Sequence, residues 1–493
     1  MKKLGFALIP VFILALALSA AAQEKPITTL KDRPETVKIT VSGDIVLDYV
    51  YRSGEVTAFT DSISSDPGDP DGENTFEGSF GVRFNVELSD KVNAVIEIGK
   101  ERVDAGAILQ FAGDNQVIWE DIVIREAHLN VQEFLMPELS FQVGIPTWSF
   151  DVRGKGSPFA FGPRYSQSFA RNVSPIEDDE NTLGYRAGNP EELDPMGAIL
   201  SYKRDALQLD LVFLPMVIEG GAVSDDEALY AVDLWYNLDM LGKDSRIGAI
   251  LAVSSFGDIA VPVGDHSGSN TAVFTLGGGA VIKPEAVPGL EIYGEVYFQF
   301  GTAGKIDVDG GGPLEEEDLD AGGFAFQVGA QYSLGGDLNP WVGANITMVT
   351  GDGDDGDDTE VNSFLSYENV GDLLIIENMY FGYDWDTNYF ALKFSGGLAL
   401  SLGGQRNNLE LSAILGICKT MEDVDCGPVG STEDNLGTEF DARLKWAITK
   451  QASLSAAVAF LFGSDVLEQT LDVAGDEEED SAMLYTLGAD LKF

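Results

Sequence analysis

Residues 37–51 read VKITVSGDIVLDYVY. Val37, Ile39, Val41, Ile45, Leu47, Tyr49 and Tyr51 share one parity, with Gly43 among them, and Lys38, Thr40, Ser42, Asp44 and Asp48 share the other. A period of two describes an extended strand with one apolar and one polar face. The pattern returns at 76–88, where Phe76, Phe80, Val82, Phe84, Val86 and Leu88 oppose Glu77, Arg83, Asn85 and Glu87. At 290–300, Leu290, Ile292, Val296, Phe298 and Phe300 oppose Glu291, Tyr293, Glu295 and Gln299. At 440–448, Phe440, Ala442, Leu444, Trp446 and Ile448 oppose Asp441, Arg443 and Lys445.

Two environments produce such strands. In a soluble sandwich the apolar face is the core. In an outer-membrane barrel the apolar face meets lipid and the polar face meets a wet lumen. The connections separate the two. Short links fall near 89–91, 135–138, 204–206, 240–245, 284–288, 334–338, 402–406 and 449–452. Long links fall near 52–75, 104–118, 149–195, 219–227, 257–268, 301–319, 351–387, 419–435 and 464–480. Eight short turns alternating with nine long loops join 18 strands, and a count of 16 is compatible with the same pattern. Short periplasmic turns and long external loops are the asymmetry of a transmembrane up-and-down antiparallel β-barrel. The last strand alternates Met483, Tyr485, Leu487, Ala489 and Leu491 and stops on Phe493, which fits the assembly signal of such barrels.

The N-terminus reads as an address. Lys2 and Lys3 precede an apolar run from Leu4 to Leu18, followed by Ala20-Ala21-Ala22. The expectation is a secretory signal peptide over 1–22, a periplasmic segment over 23–36 and a barrel over 37–493.

Composition narrows the function. Among 493 residues there are 81 Asp and Glu against 30 Lys and Arg, a net charge of −51. A chain so acidic is repelled by nucleic acid. Two His and two Cys leave little for a Cys/His zinc site. An apolar fraction of 44% is too high for a disordered acidic chain. The nine long links hold 52 acidic and 8 basic residues, so most of the excess charge sits at the external mouth. The inward faces carry both signs: Asp44, Asp48, Glu291, Glu295 and Asp441 beside Arg83, Arg443 and Lys445. The expectation is a polar, mildly acidic lumen that suits cations or neutral solutes and disfavours long apolar ones.

One segment breaks the acidic rule. Residues 152–176 contain no acid and carry Arg153, Lys155, Arg164 and Arg171 with four aromatic rings. It belongs to the third long link. We expect it to fold inward and narrow the pore, with pairing to the acidic loops outside as the alternative.

Other constellations are weaker. Asp352, Asp354, Asp355, Asp357 and Asp358 lie in a Gly-rich run that lacks EF-hand spacing. A solvated rim is the expectation, with loosely bound Ca²⁺ as the alternative and no other cofactor. Cys418 and Cys426 are expected to pair in an oxidising compartment. No G-x-S-x-G, Walker or H-E-x-x-H pattern occurs, so an enzyme is not expected. His128 is the one credible base, and a polar lumen role suits it better.

The stretch 124–154, IREAHLNVQEFLMPELSFQVGIPTWSFDVRG, resembles a segment of the alginate-export-like porins. The stretch 349–364, VTGDGDDGDDTEVNSF, is similar to a late segment of the same barrels. The resemblance covers under a tenth of the chain. It implies an 18-stranded barrel passing polar solutes, and in some members an anionic polysaccharide. Gly144-Ile145-Pro146 stands where the family has glycine-arginine, and the acidic mouth opposes a polyanion.

The sequence thus points to an outer-membrane porin for passive diffusion of small polar solutes. An anion or polysaccharide channel and a non-conducting structural or adhesive barrel are its rivals. Lipid, lipopolysaccharide and the barrel-assembly machinery are the expected partners, with a homotrimer left open.

Overall fold

The computed structural model describes residues 37–54, 73–100, 123–146, 148, 150–153, 197–218, 222–256, 271–307, 316–351, 360–361, 364, 372–377, 388–401, 408–425, 432–465 and 481–493. The signal peptide, the 23–36 segment, Lys155, Arg164, Arg171, the 352–358 acids and Cys426 lie outside the described residues.

Twenty strands follow one another: β1 (Lys38–Gly54), β2 (Glu73–Ser89), β3 (Val92–Lys100), β4 (Val123–Val131), β5 (Leu139–Ile145), β6 (Gly197–Arg204) and β7 (Leu207–Ile218). Then come β8 (Ala222–Asn237), β9 (Arg246–Phe256), β10 (Thr271–Ile282), β11 (Leu290–Asp307), β12 (Glu316–Ala321), β13 (Phe324–Ser333) and β14 (Trp341–Val349). The last are β15 (Glu360–Val361), β16 (Tyr389–Leu400), β17 (Leu409–Asp425), β18 (Thr432–Ala447), β19 (Ala452–Phe462) and β20 (Ser481–Lys492). Eighteen form the wall, each antiparallel to the next, and β1 closes on β20. β12 and β15 are short additions beyond the end of β13 and pair with each other in parallel.

Closure removes the unpaired edges that would otherwise be left in lipid. At the seam the Gly43 and Phe493 main chains exchange hydrogen bonds of 2.9 and 3.0 Å. Gly43 is needed there because a Cβ would fall 2.5 Å from the Phe493 ring. The outward parity is apolar and exposed, as at Ile39, Leu47, Leu276, Val328, Val342 and Leu487. Phe274, Phe298, Phe300 and Phe324 gather outside near one end, with Phe274 stacked on Phe300 at 5.4 Å and Phe298 against Phe324 at 5.0 Å. Such rings suit the membrane–water boundary.

Two expectations change. Several ladders run on into the long links: β17 and β18 pair as far as Asp425 and Thr432, and β8 begins at Ala222. Polar strands keep pairing where water, rather than lipid, bathes them. The inward face is also less polar than its charges suggest. Val212, Leu214, Leu229, Ile250, Val273, Leu461 and Leu484 point inward and are buried. What covers part of this face defines the site.

Candidate functional site: segments folded into the lumen

The chain after β5 turns into the barrel. The indole N–H of Trp148 donates to Asp233 Oδ2 on β8 at 2.7 Å. Phe150 is fully buried and stacks on Trp235 with centroids 4.6 Å apart, its edge toward Tyr297 of β11. Arg246 of β9 donates to the carbonyls of Asp151 and Val152 at 2.8 and 3.0 Å. Arg153 then lies over the Tyr293 ring, 3.7 Å from its centroid. Its guanidinium approaches Glu291 Oε1 at 3.4 Å, and Lys283 Nζ approaches Glu291 Oε2 at 3.5 Å.

A second segment enters from the link between β14 and β16. Leu373, Leu374, Ile375 and Ile376 are buried inside the barrel against β16–β18. Their main chain is held by side chains. Glu439 accepts from the Ile375 and Ile376 N–H groups at 2.7 and 2.8 Å. Asp441 accepts from Leu374 N–H at 3.1 Å, and Glu377 from Leu373 N–H at 3.0 Å. Arg443 donates to the Asp372 carbonyl and to Asp441. Glu377 in turn accepts from Tyr389 Oη and Lys393 Nζ, both at 2.7 Å. Leu373 sits where Gly416 offers no side chain; a Cβ there would fall 2.6 Å from Leu373 Cδ1.

One cross-strand row joins the two segments. The register aligns Arg246, Val281, Tyr293, Gly329, Asn345, Lys393, Gly416 and Glu439 across successive inward faces. Tyr293 lies across Gly329 to reach Asn345; a Cβ at 329 would fall 2.5 Å from Tyr293 Oη. Asp372 and Lys393 are within electrostatic reach of that hydroxyl. The row therefore runs from Arg246, past Tyr293 with Arg153 over its ring, to Lys393 and Glu439, which hold the 372–377 segment. Phe364, also buried, packs near Tyr297 above it.

The remaining inward residues are placed as follows. Arg83 bridges Glu97 and Glu126 at 3.0 and 2.8 Å, and His128 is buried in register with Gly144. Asp48 is buried, and Asp44 faces Lys492 across the seam. Glu295 accepts from Tyr297 Oη at 2.9 Å, and Lys445 is exposed opposite Glu410. Arg153 is the one basic residue of the 152–176 segment among the described residues. Cys418 is a free buried thiol 3.3 Å from Tyr389 Oη. Its expected partner, Cys426, lies outside the described residues.

Sequence reasoning did not single out the 372–377 segment, Trp148, Arg246 or Lys393. The one available signal was Leu373-Leu374-Ile375-Ile376, an apolar run in an otherwise acidic link.

A closed 18-strand antiparallel barrel with an apolar, ring-studded exterior and an interior lined with acidic and basic side chains is a transmembrane β-barrel of the outer-membrane type. One solved structure supports the fold at this level of similarity. OccAB1 of Acinetobacter baumannii is similar over 92% of this chain and 96% of its own, with a TM-score of 0.50 at 11% identity. OccK5 (OpdH) of Pseudomonas aeruginosa aligns over 92% of this chain and 98% of its own, with a TM-score of 0.48 at 13% identity. The outer membrane protein OpdK of the same organism covers 92% and 99%, with a TM-score of 0.47 at 10% identity. No family model matches the sequence, and no curated protein is significantly similar to it.

Proposed function

We propose that the protein is an outer-membrane channel through which small polar solutes diffuse, with cations or neutral molecules favoured. It is read as a conduit, not an enzyme. The carrying observation is that two inserted segments meet one lumen row, with Arg153 and Lys283 beside Glu291 toward one end and Lys393–Glu377 and Arg443–Asp441 toward the other. A solute passing there meets the partly exposed charges of Arg153, Lys283, Asp372 and Arg443 in a narrowed space, where charge selects sign and width selects size. The acidic external links add a negative mouth that concentrates cations. The solved structure of OpdK with vanillate is of a protein of similar fold; an acidic interior gives no support to a carboxylate or an anionic polysaccharide here. Lipid and lipopolysaccharide at the apolar belt, and the assembly machinery at the strand ending in Phe493, are the partners this reading implies.

The packed Leu373–Ile376 segment favours a second reading, a barrel that conducts nothing. Planar-bilayer recording of the refolded protein under a KCl gradient separates them. Steady conductance with a cation-sided reversal potential is expected. Anion preference would revive the anion or polysaccharide channel, and silence would favour the structural barrel.

A further inference from the structure

We propose that Arg246 is the positioning residue for the Arg153 charge. The inference rests on the channel reading above and adds how its constriction is held. The 148–153 segment lies against the wall with no strand of its own among the described residues, Phe150 alone making an isolated bridge. Main-chain carbonyls placed in a barrel interior need donors. Arg246 supplies them to two successive carbonyls, those of Asp151 and Val152, immediately before Arg153. The guanidinium plane is itself fixed, 4.6 Å over the Trp235 ring. That ring also carries Phe150. One arginine thus ties the segment's backbone to the ring that seats its side chain.

The geometry calls for arginine. Two carbonyls and one aromatic face match a planar fork; an ammonium offers a point charge and no plane. Among the described residues Arg246 makes no ion pair within 4.0 Å, so its donors go to main chain instead of a carboxylate. Immediately beyond the fork, Asp151 Oδ1 accepts from Arg153 N–H at 2.9 Å and closes a tight turn. The Arg153 side chain leaves that turn directly onto Tyr293 and Glu291. If the fork opens, the turn shifts and Arg153 loses its seat, although no atom of Arg153 has changed.

The test uses the refolded full chain, with heat-shifted gel migration as the folding control and the reversal potential under a KCl gradient as readout. R153Q is expected to raise the cation-to-anion permeability ratio about two-fold, the effect of one screened charge near the ion path. R246K keeps a charge but not the fork, and is expected to move the ratio in the same direction as R153Q. The double variant R153Q/R246K should move it no further than R153Q alone. An R246K channel indistinguishable from wild type overturns the proposal, as do effects that add in the double variant. Hydrogen exchange of the amides at 150–153 reads positioning independently of conduction: R246K should speed it there, and unchanged exchange also overturns the proposal. An R153Q channel with no shift would instead sink the pore-lining reading, whatever R246K does to exchange.

Discussion

Glu439→Ala asks what holds the 372–377 segment in the lumen. The substitution removes both acceptors for the Ile375 and Ile376 N–H groups, now bound at 2.7 and 2.8 Å. A buried donor left without a partner costs about 1–3 kcal/mol, so the pair costs about 2–6 kcal/mol. Part of that is returned, because a fully buried carboxylate beside Asp441 also disappears. On the other side stand four buried aliphatic side chains, Leu373 to Ile376. Each is worth roughly 1.5–3 kcal/mol, about 6–12 kcal/mol together as an upper range. The Asp441 and Glu377 bonds to Leu374 and Leu373 remain as well. Apolar burial wins, and the segment should stay inside. Hydrogen exchange at 375 and 376 should quicken while single-channel conductance holds. The pair L373S/I375S attacks the larger contribution and should raise conductance. The reasoning is refuted if E439A alone opens the channel as far as L373S/I375S does.

Gly416→Val places a Cβ 2.6 Å from Leu373 Cδ1, so conductance should rise as the segment is displaced. Gly329→Val displaces Tyr293, whose Oη would lie 2.5 Å from the new Cβ, and strips Arg153 of its ring. Its reversal potential should move in the R153Q direction, and no movement would deny Tyr293 a part in seating the charge. Gly43→Val crowds the Gly81 carbonyl and the Phe493 ring at the seam. The yield of heat-shifted, folded barrel should fall, and an undiminished yield would mean the seam tolerates a side chain. Cys418 should label with a maleimide after denaturation without reductant and resist it in the folded protein. Failure to label until a reductant is added would establish the bridge to Cys426.

The wall was legible in the sequence because its cause is local. Alternation at 37–51 or 290–300 states which side chains meet lipid, and the spacing of links gives strand number and the end that carries the loops. The same parity sets Arg83, Glu291, Asp441 and Arg443 on the face opposite the apolar one, where they meet their ion-pair partners. What fills the inside was not legible. Leu373-Leu374-Ile375-Ile376 has no periodicity, and its partners Glu439 and Asp441 lie more than sixty residues away. Arg246 and the carbonyls it binds are about ninety residues apart. Gly329 and Gly416 read as ordinary strand glycines until Tyr293 and Leu373 occupy the space above them. Sequence by itself determined the barrel, since a strand's two faces are set by each residue's own parity. Only the tertiary structure decided the constriction, since that depends on which distant side chains closure of the wall brings to one row.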